Sequence, residues 1–258
     1  VLVPRTGTIE GKVEQLRELE SKTDPQLLAD FQYRLEVSWI HHDGALEGVV
    51  YDPRELQAAI DNQGLISDRA LLATYDEIRN FKLAIALIRE MAEKKRRKIT
   101  LEAIKKIYLT LAPEEAEVKG PPKYRKEMPL HRVYFHEISP PDKIGYKMRQ
   151  LVEWMASDET KRTVHPVRMA AKAHYTLLHI FPFPKHSGKV ARLMMNLMLL
   201  RDGYPPAIVH STERQRYYEA LKTSDDAVAV VVRDALTDSV DSALRFFKKI
   251  HGIPDKTP

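Results

Sequence analysis

The chain contains no cysteine. That excludes disulfide frameworks and thiolate metal centres, and it favours a reducing compartment. Long apolar runs are also missing. No stretch approaches the roughly 18 residues of a membrane span, and no secretory pattern stands ahead of the first helical segment. A cytoplasmic protein without membrane contact is the expectation. Strong charge of one sign is absent too: 41 basic residues oppose 36 acidic ones for a formal charge of +5, too mild to argue for nucleic acid. Internal repeats and low-complexity segments are lacking as well.

What remains is helical patterning over most of 258 residues, of which 43% are hydrophobic, enough for a substantial core. The spacing of apolar residues predicts helices at about 9–21, 25–41, 53–62, 67–93 and 99–111, then 142–156, 165–180, 187–202 and 226–250. Asp24-Pro25 reads as a cap and first-turn pair, and Gly203 as a helix stop. The 16 prolines gather in connections, chiefly 112–140 and 182–206. An all-α bundle follows, divided into an N-terminal helical region (1–111) and a core (112–258) that form one compact unit. Short β-branched and aromatic runs within 112–140 suit a small hairpin. His41-His42-Asp43 invites a metal reading, but neighbours on a helix point apart. The basic run 93–98 reads as a solvated helix end.

The stretch that organises the chain is Phe181-Pro182-Phe183-Pro184-Lys185-His186-Ser187-Gly188-Lys189-Val190-Ala191-Arg192. Two prolines end one apolar helix, and Ser187-Gly188 restarts another. A helix N-terminus offers free N–H groups and a positive dipole end, an arrangement suited to an anion. Lys185, Lys189 and Arg192 crowd that same end, so a compensating negative group is expected. A P-loop is excluded, because Phe183 stands where it needs glycine and Val190 where it needs Ser or Thr.

This stretch resembles the signature loop of the Fic (Fido) family, His-x-Phe-x-Asp/Glu-Gly-Asn-Gly-Arg-x-x-Arg, aligned without gaps. Phe183, Gly188 and Arg192 fit. Phe181 stands for the motif His, Lys185 for the acid, His186 for the first Gly, Ser187 for Asn and Lys189 for the first Arg. Upstream, Asp43-x-x-x-Glu47-Gly48 resembles the family's inhibitory motif, Ser/Thr-x-x-x-Glu-Gly/Asn, with Asp43 in the hydroxyl position. The resemblance spans about residues 26–250. It implies a Fic-fold bundle with a β-hairpin flap at Arg132, Val133, Tyr134 and Phe135, where a protein target docks by strand addition. It also implies pairing of Glu47 with Arg192, and Tyr218 in the region that borders a base pocket. Physics argues for that pair independently, since a buried Arg without its anion needs a carboxylate.

In the family the motif His is the base, the acid holds Mg²⁺, and the glycine turn and arginines bind phosphates. Phe181 cannot accept a proton, and Lys185 would repel Mg²⁺ while offering a phosphate a point charge. Ser187, Gly188, Lys189 and Arg192 keep an altered anion cradle, to which His186 adds a titratable group. Three readings stay open. The chain is a non-catalytic binder of ATP, another nucleotide or phosphorylated ligand, or a protein partner, without Mg²⁺ or any other metal. Alternatively it is a Fic-fold enzyme with changed chemistry on a phosphorylated or sugar-type substrate, using Lys185, His186 or His179. Or it is a residual AMP-transferase restrained by Glu47.

Overall fold

The computed structural model describes residues 8–61, 69–95, 97–116, 124–129 and 136–254. Among them lie eleven α-helices: α1 (Ile9–Ser21), α2 (Pro25–Leu46), α3 (Pro53–Ile60), α4 (Arg69–Glu93), α5 (Leu101–Leu111), α6 (Pro141–Ala156), α7 (Asp158–Thr163), α8 (Pro166–Ile180), α9 (Ser187–Arg201), α10 (Arg214–Thr223) and α11 (Asp225–Ile250). Local chemistry fixes many of the starts. Asp24 and Asp52 accept first-turn N–H groups ahead of Pro25 and Pro53, while Thr8, Thr100, Ser157 and Ser224 cap in the same way. No strand occurs among the described residues. The hairpin expected at Arg132, Val133, Tyr134 and Phe135 lies outside them.

Helix α9 is the centre of the bundle. Every residue from Ser187 to Leu199 is buried, because α8, α4 and α5 all pack on it. Its stop forms as the sequence suggests: Gly203 takes φ +81°, and Tyr204 N–H bonds back to Leu199 O. Helix α11 lies on α8 and α1. One apolar core runs from Val13 to Phe247. No helix among the described residues is long and apolar enough to cross a membrane.

The main departure from the expected elements is α2, which continues five residues past 41. Gly44 sits inside its last turn. That costs helix propensity, but a Cβ there would meet the Tyr51 ring at 2.6 Å. The glycine therefore lets the chain after the helix fold back tightly. Gly48, at φ +88°, completes the turn. The extension puts both carboxylates of the 43–47 motif on one helical face, four residues apart.

Candidate functional site

The loop between α8 and α9 is held at several points. Phe181 ends α8 in the left-handed conformation (φ 49°), its N–H donating to Leu177 O at 2.8 Å. A bulky residue there is strained by about 1–2 kcal/mol, and the following Pro182 discourages a return to helix. Arg125, itself buried, supplies the restraint. Its Nε donates to Phe181 O at 2.7 Å, its other nitrogens donate to Ser139 O, Ile180 O and Glu127 O, and its backbone N–H donates to Pro182 O at 2.9 Å. Phe183 is fully buried and stacks on Tyr108 of α5, with centroids 4.1 Å apart and planes within 4°. Ser187 turns its hydroxyl inward, donating to Phe183 O at 3.0 Å and accepting Phe183 N–H at 2.9 Å. Its oxygen therefore closes the loop.

His186 precedes α9 in the left-handed region (φ 59°) and gives the helix no side-chain cap. Beyond it, each cation of the loop has an acidic partner. Lys185 is exposed and pairs with Glu114. Lys189 is buried and pairs with Glu77 of α4. Arg192 binds Asp43 through two bonds of 2.6 and 2.8 Å and Glu47 through one of 2.8 Å. The side chains of Arg192 and Asp43 are each only 4% exposed, and that of Glu47 is 18% exposed. The compensating charge expected at this helix end is thus present, and it comes from four carboxylates rather than one.

Electrostatics follow from this crowding. Burial opposes the charge on Glu47, but Arg192 and Lys189 beside it outweigh burial and hold its carboxyl below the ordinary value. Burial likewise opposes the Lys189 ammonium, yet Glu47, Tyr51, Glu77 and Asp43 raise it above the ordinary value. Tyr51 is pushed up to about 12, chiefly by burial. His186 is lowered by burial and by Lys189, so its imidazole is neutral near pH 7. Under Arg192 lies a second layer: the Tyr217 hydroxyl bonds Arg192 and His174 Nε2, the latter at 2.9 Å. Burial, with Arg192 adding to it, lowers fully buried His174 to about 3.

The structure therefore brings together Glu47, Lys189, Arg192 and the uncapped turn at His186, Ser187 and Gly188. Tyr218 stands at the same edge, its hydroxyl donating to Leu46 O at the end of α2 while the Arg214 guanidinium lies 4.7 Å over its ring. His179 sits apart, its Nδ1 2.9 Å from Tyr175 O and its ring between Tyr175 and His136. Asp43 is the residue that sequence reasoning undervalued. Its spacing from Glu47 was signal enough for a shared face, but not for a bidentate grip on Arg192. Arg125, Glu77, Tyr217 and His174 join the site from distant segments and carry no local signal.

No group of acidic or histidine side chains among the described residues is arranged to hold a metal. The loop itself does not fit Mg²⁺, because Lys185 occupies the motif acid position and Asp43, Glu47 and Glu77 are engaged by Arg192 and Lys189. His42 of the 41–43 cluster stacks on His210 at 3.9 Å and accepts Ser211 N–H on Nδ1 at 3.3 Å. Burial, His210 and His41 lower it to about 4.

Residues 98–199 match the family model of the Fic/DOC family. The protein adenylyltransferase Fic of Drosophila virilis is 28% identical over 189 residues, 72% of this chain, and that of Drosophila melanogaster gives the same figures. The chain spans 37% of the length of these relatives. Among solved structures, a Fic domain containing signalling protein from Bacteroides thetaiotaomicron superposes with a TM-score of 0.76 over 96% of this chain and 99% of its own, at 19% identity. Fic-1 from C. elegans gives 0.74 over 96% and 74%, also at 19%.

Proposed function

We propose that the chain, whose residues 98–199 match the Fic/DOC family model, is a binding member of that family, with transfer lost and the phosphate cradle kept under acidic lock. Its ligand is a nucleotide or another phosphorylated small molecule, held without Mg²⁺ at the start of α9. The observation that carries this reading is the double clasp of Arg192 by Asp43 and Glu47. A guanidinium this buried is costly unless paired, and the carboxylates occupy the directions a phosphate would take. Ligand entry then means exchange: the incoming phosphate replaces Glu47, the more exposed carboxylate, and then Asp43. Phe181 supplies no base and Lys185 no metal ligand, so AMP transfer does not follow binding. A solved relative of the same fold is a complex with adenylylated Cdc42, and a protein partner at residues 132–135 belongs to the same proposal.

Calorimetric titration with ATP and AMP, with and without Mg²⁺, tests it. Mg²⁺-independent binding is expected, weak in the wild type and tighter in Glu47→Gln and in Asp43→Asn, with no label transferred from ATP to protein. Folded variants that bind neither nucleotide would refute the cradle. Label transfer appearing in Glu47→Gln would restore the inhibited AMP-transferase reading. One observation favours a second reading with changed chemistry: His186 is neutral, half-buried and beside Lys189, as a proton acceptor should be. Turnover of a phosphorylated substrate that His186→Gln abolishes would establish it.

A further inference from the structure

The opposite end of α9 carries a different feature. A cavity of about 320 Å³, within the range of small-molecule sites, opens between the ends of α4, α7 and α9. Its rim brings together Lys95, Arg97 and Lys98 from the basic run, Lys161 from α7 and Arg201 from the last turn of α9. Asp202 is the one carboxylate of its lining. Five cations against one acid leave an excess of four, while the whole chain carries +5. None of the five is within ion-pair distance of a described carboxylate. At the signature loop every cation is paired with a carboxylate; here Asp202 alone opposes Lys95 and Arg201, and most of the charge is left standing.

Helix dipoles do not account for this concentration. The C-termini of α4 and α9 each present about half a negative charge, roughly one in all against an excess of four. Arg201 shows the mismatch within its own side chain. Its terminal nitrogens donate to Arg97 O at 2.7 Å and Met91 O at 3.3 Å, yet its buried Nε has no partner among the described residues. Beneath the rim the lining is apolar and soft, with Ile99, Met155, Met169 and Met198 all buried. A bare inorganic ion would use the rim and leave that floor uncovered. A solvated helix end would have neither a floor nor a buried unpaired donor.

We propose that this cavity is a binding site for a small polyanion with an apolar ring, of the phosphorylated-nucleoside class. The phosphates lie against Lys95, Arg97, Lys98, Lys161 and Arg201, and the ring lies on the methionine floor. The charge convergence focuses the field into a concave space, so binding weakens steeply with salt. The site is independent of the signature loop, from which it is separated by the length of α9, about 20 Å.

The test is ADP titration of the full chain carrying ¹³C-methyl methionine, with pyrophosphate as the ring-free control. ADP is expected to shift Met155, Met169 and Met198 ahead of the other five methionines, and to bind more tightly than pyrophosphate. The double variant Lys98→Glu/Lys161→Glu alters exposed side chains and so spares folding. It is expected to weaken the ADP binding that these three methyls report by about tenfold or more. ADP that shifts none of the three, or shifts them in the double variant at the same concentration as in wild type, overturns the proposal. Equal affinity for pyrophosphate overturns the role of the floor. Binding confined to oligonucleotides, with ADP inert, overturns the small-molecule assignment.

Discussion

Replacing Asp43 by Asn removes one charge from the centre of the site and little volume. In the wild type Arg192 holds Asp43 through two bonds and Glu47 through one, with Arg192 and Asp43 both 4% exposed. Breaking a buried pair by deleting one partner costs about 3–5 kcal/mol. Here Glu47 remains and the Asn oxygen still accepts a bond, so a loss of about 2–3 kcal/mol is expected. For a chain of this size that lowers Tm by roughly 5–10 °C. Glu47→Gln affects a more exposed group with a single bond and is expected to cost about 1 kcal/mol. The two carboxylates share one guanidinium, so the double variant should lose more than the sum, by about 1 kcal/mol or more. Thermal unfolding followed by far-UV circular dichroism at neutral pH reads all four corners of the cycle. Added salt should change little, since the pair is shielded from solvent. Pyrophosphate should return part of the stability lost in Asp43→Asn, because a ligand that binds only the folded state stabilises it. A loss below about 1 kcal/mol for Asp43→Asn, or strict additivity, would refute the claim that Arg192 depends on a double clasp.

Two further perturbations probe the layers around that clasp. Arg125→Met strips donors from the buried carbonyls of Phe181 and Ser139 and should cost about 2–4 kcal/mol. Hydrogen exchange should rise first in residues 181–186; uniform loosening would mean that Arg125 does not hold the loop. His174 titrates at 6.5 when unfolded and at about 3 in the folded chain. Between those values the unfolded state binds the extra proton, so stability falls as pH drops, by at most about 1.4 kcal/mol per unit. Urea midpoints at pH 7, 6 and 5 should show a shallower slope in His174→Gln; parallel slopes would refute the buried neutral imidazole. Glu47 acts over a lower window. Its folded value is depressed below 4.5, so its contribution is complete above that pH and is lost as pH falls through the folded value.

Much of this protein is legible along the chain. Helices that bury one stripe or all faces announce themselves through spacing, and α9, apolar on nearly every side from Leu193 to Leu200, reads as central. The cap at Asp24 and the stop at Gly203 are local chemistry acting within a few residues. The anion-suited turn at Ser187-Gly188 and the pairing of Glu47 with Arg192 were legible because a buried charge demands an opposite one. The sequence did not reveal which opposite charges would arrive first. Lys189 finds Glu77 from α4, Lys185 finds Glu114, and Arg192 finds Asp43 as well as Glu47; three of these four carboxylates come from outside the motif's Glu. Arg125, 56 positions from Phe181, reaches the loop only because α8 and the segment before α6 meet there. The sequence by itself determined most of the helices and their order, since those follow from short-range steric and hydrophobic preferences. Only the tertiary structure decided which charges cancel and which are left unpaired, because Coulomb interactions depend on distances in space that the folded bundle alone sets.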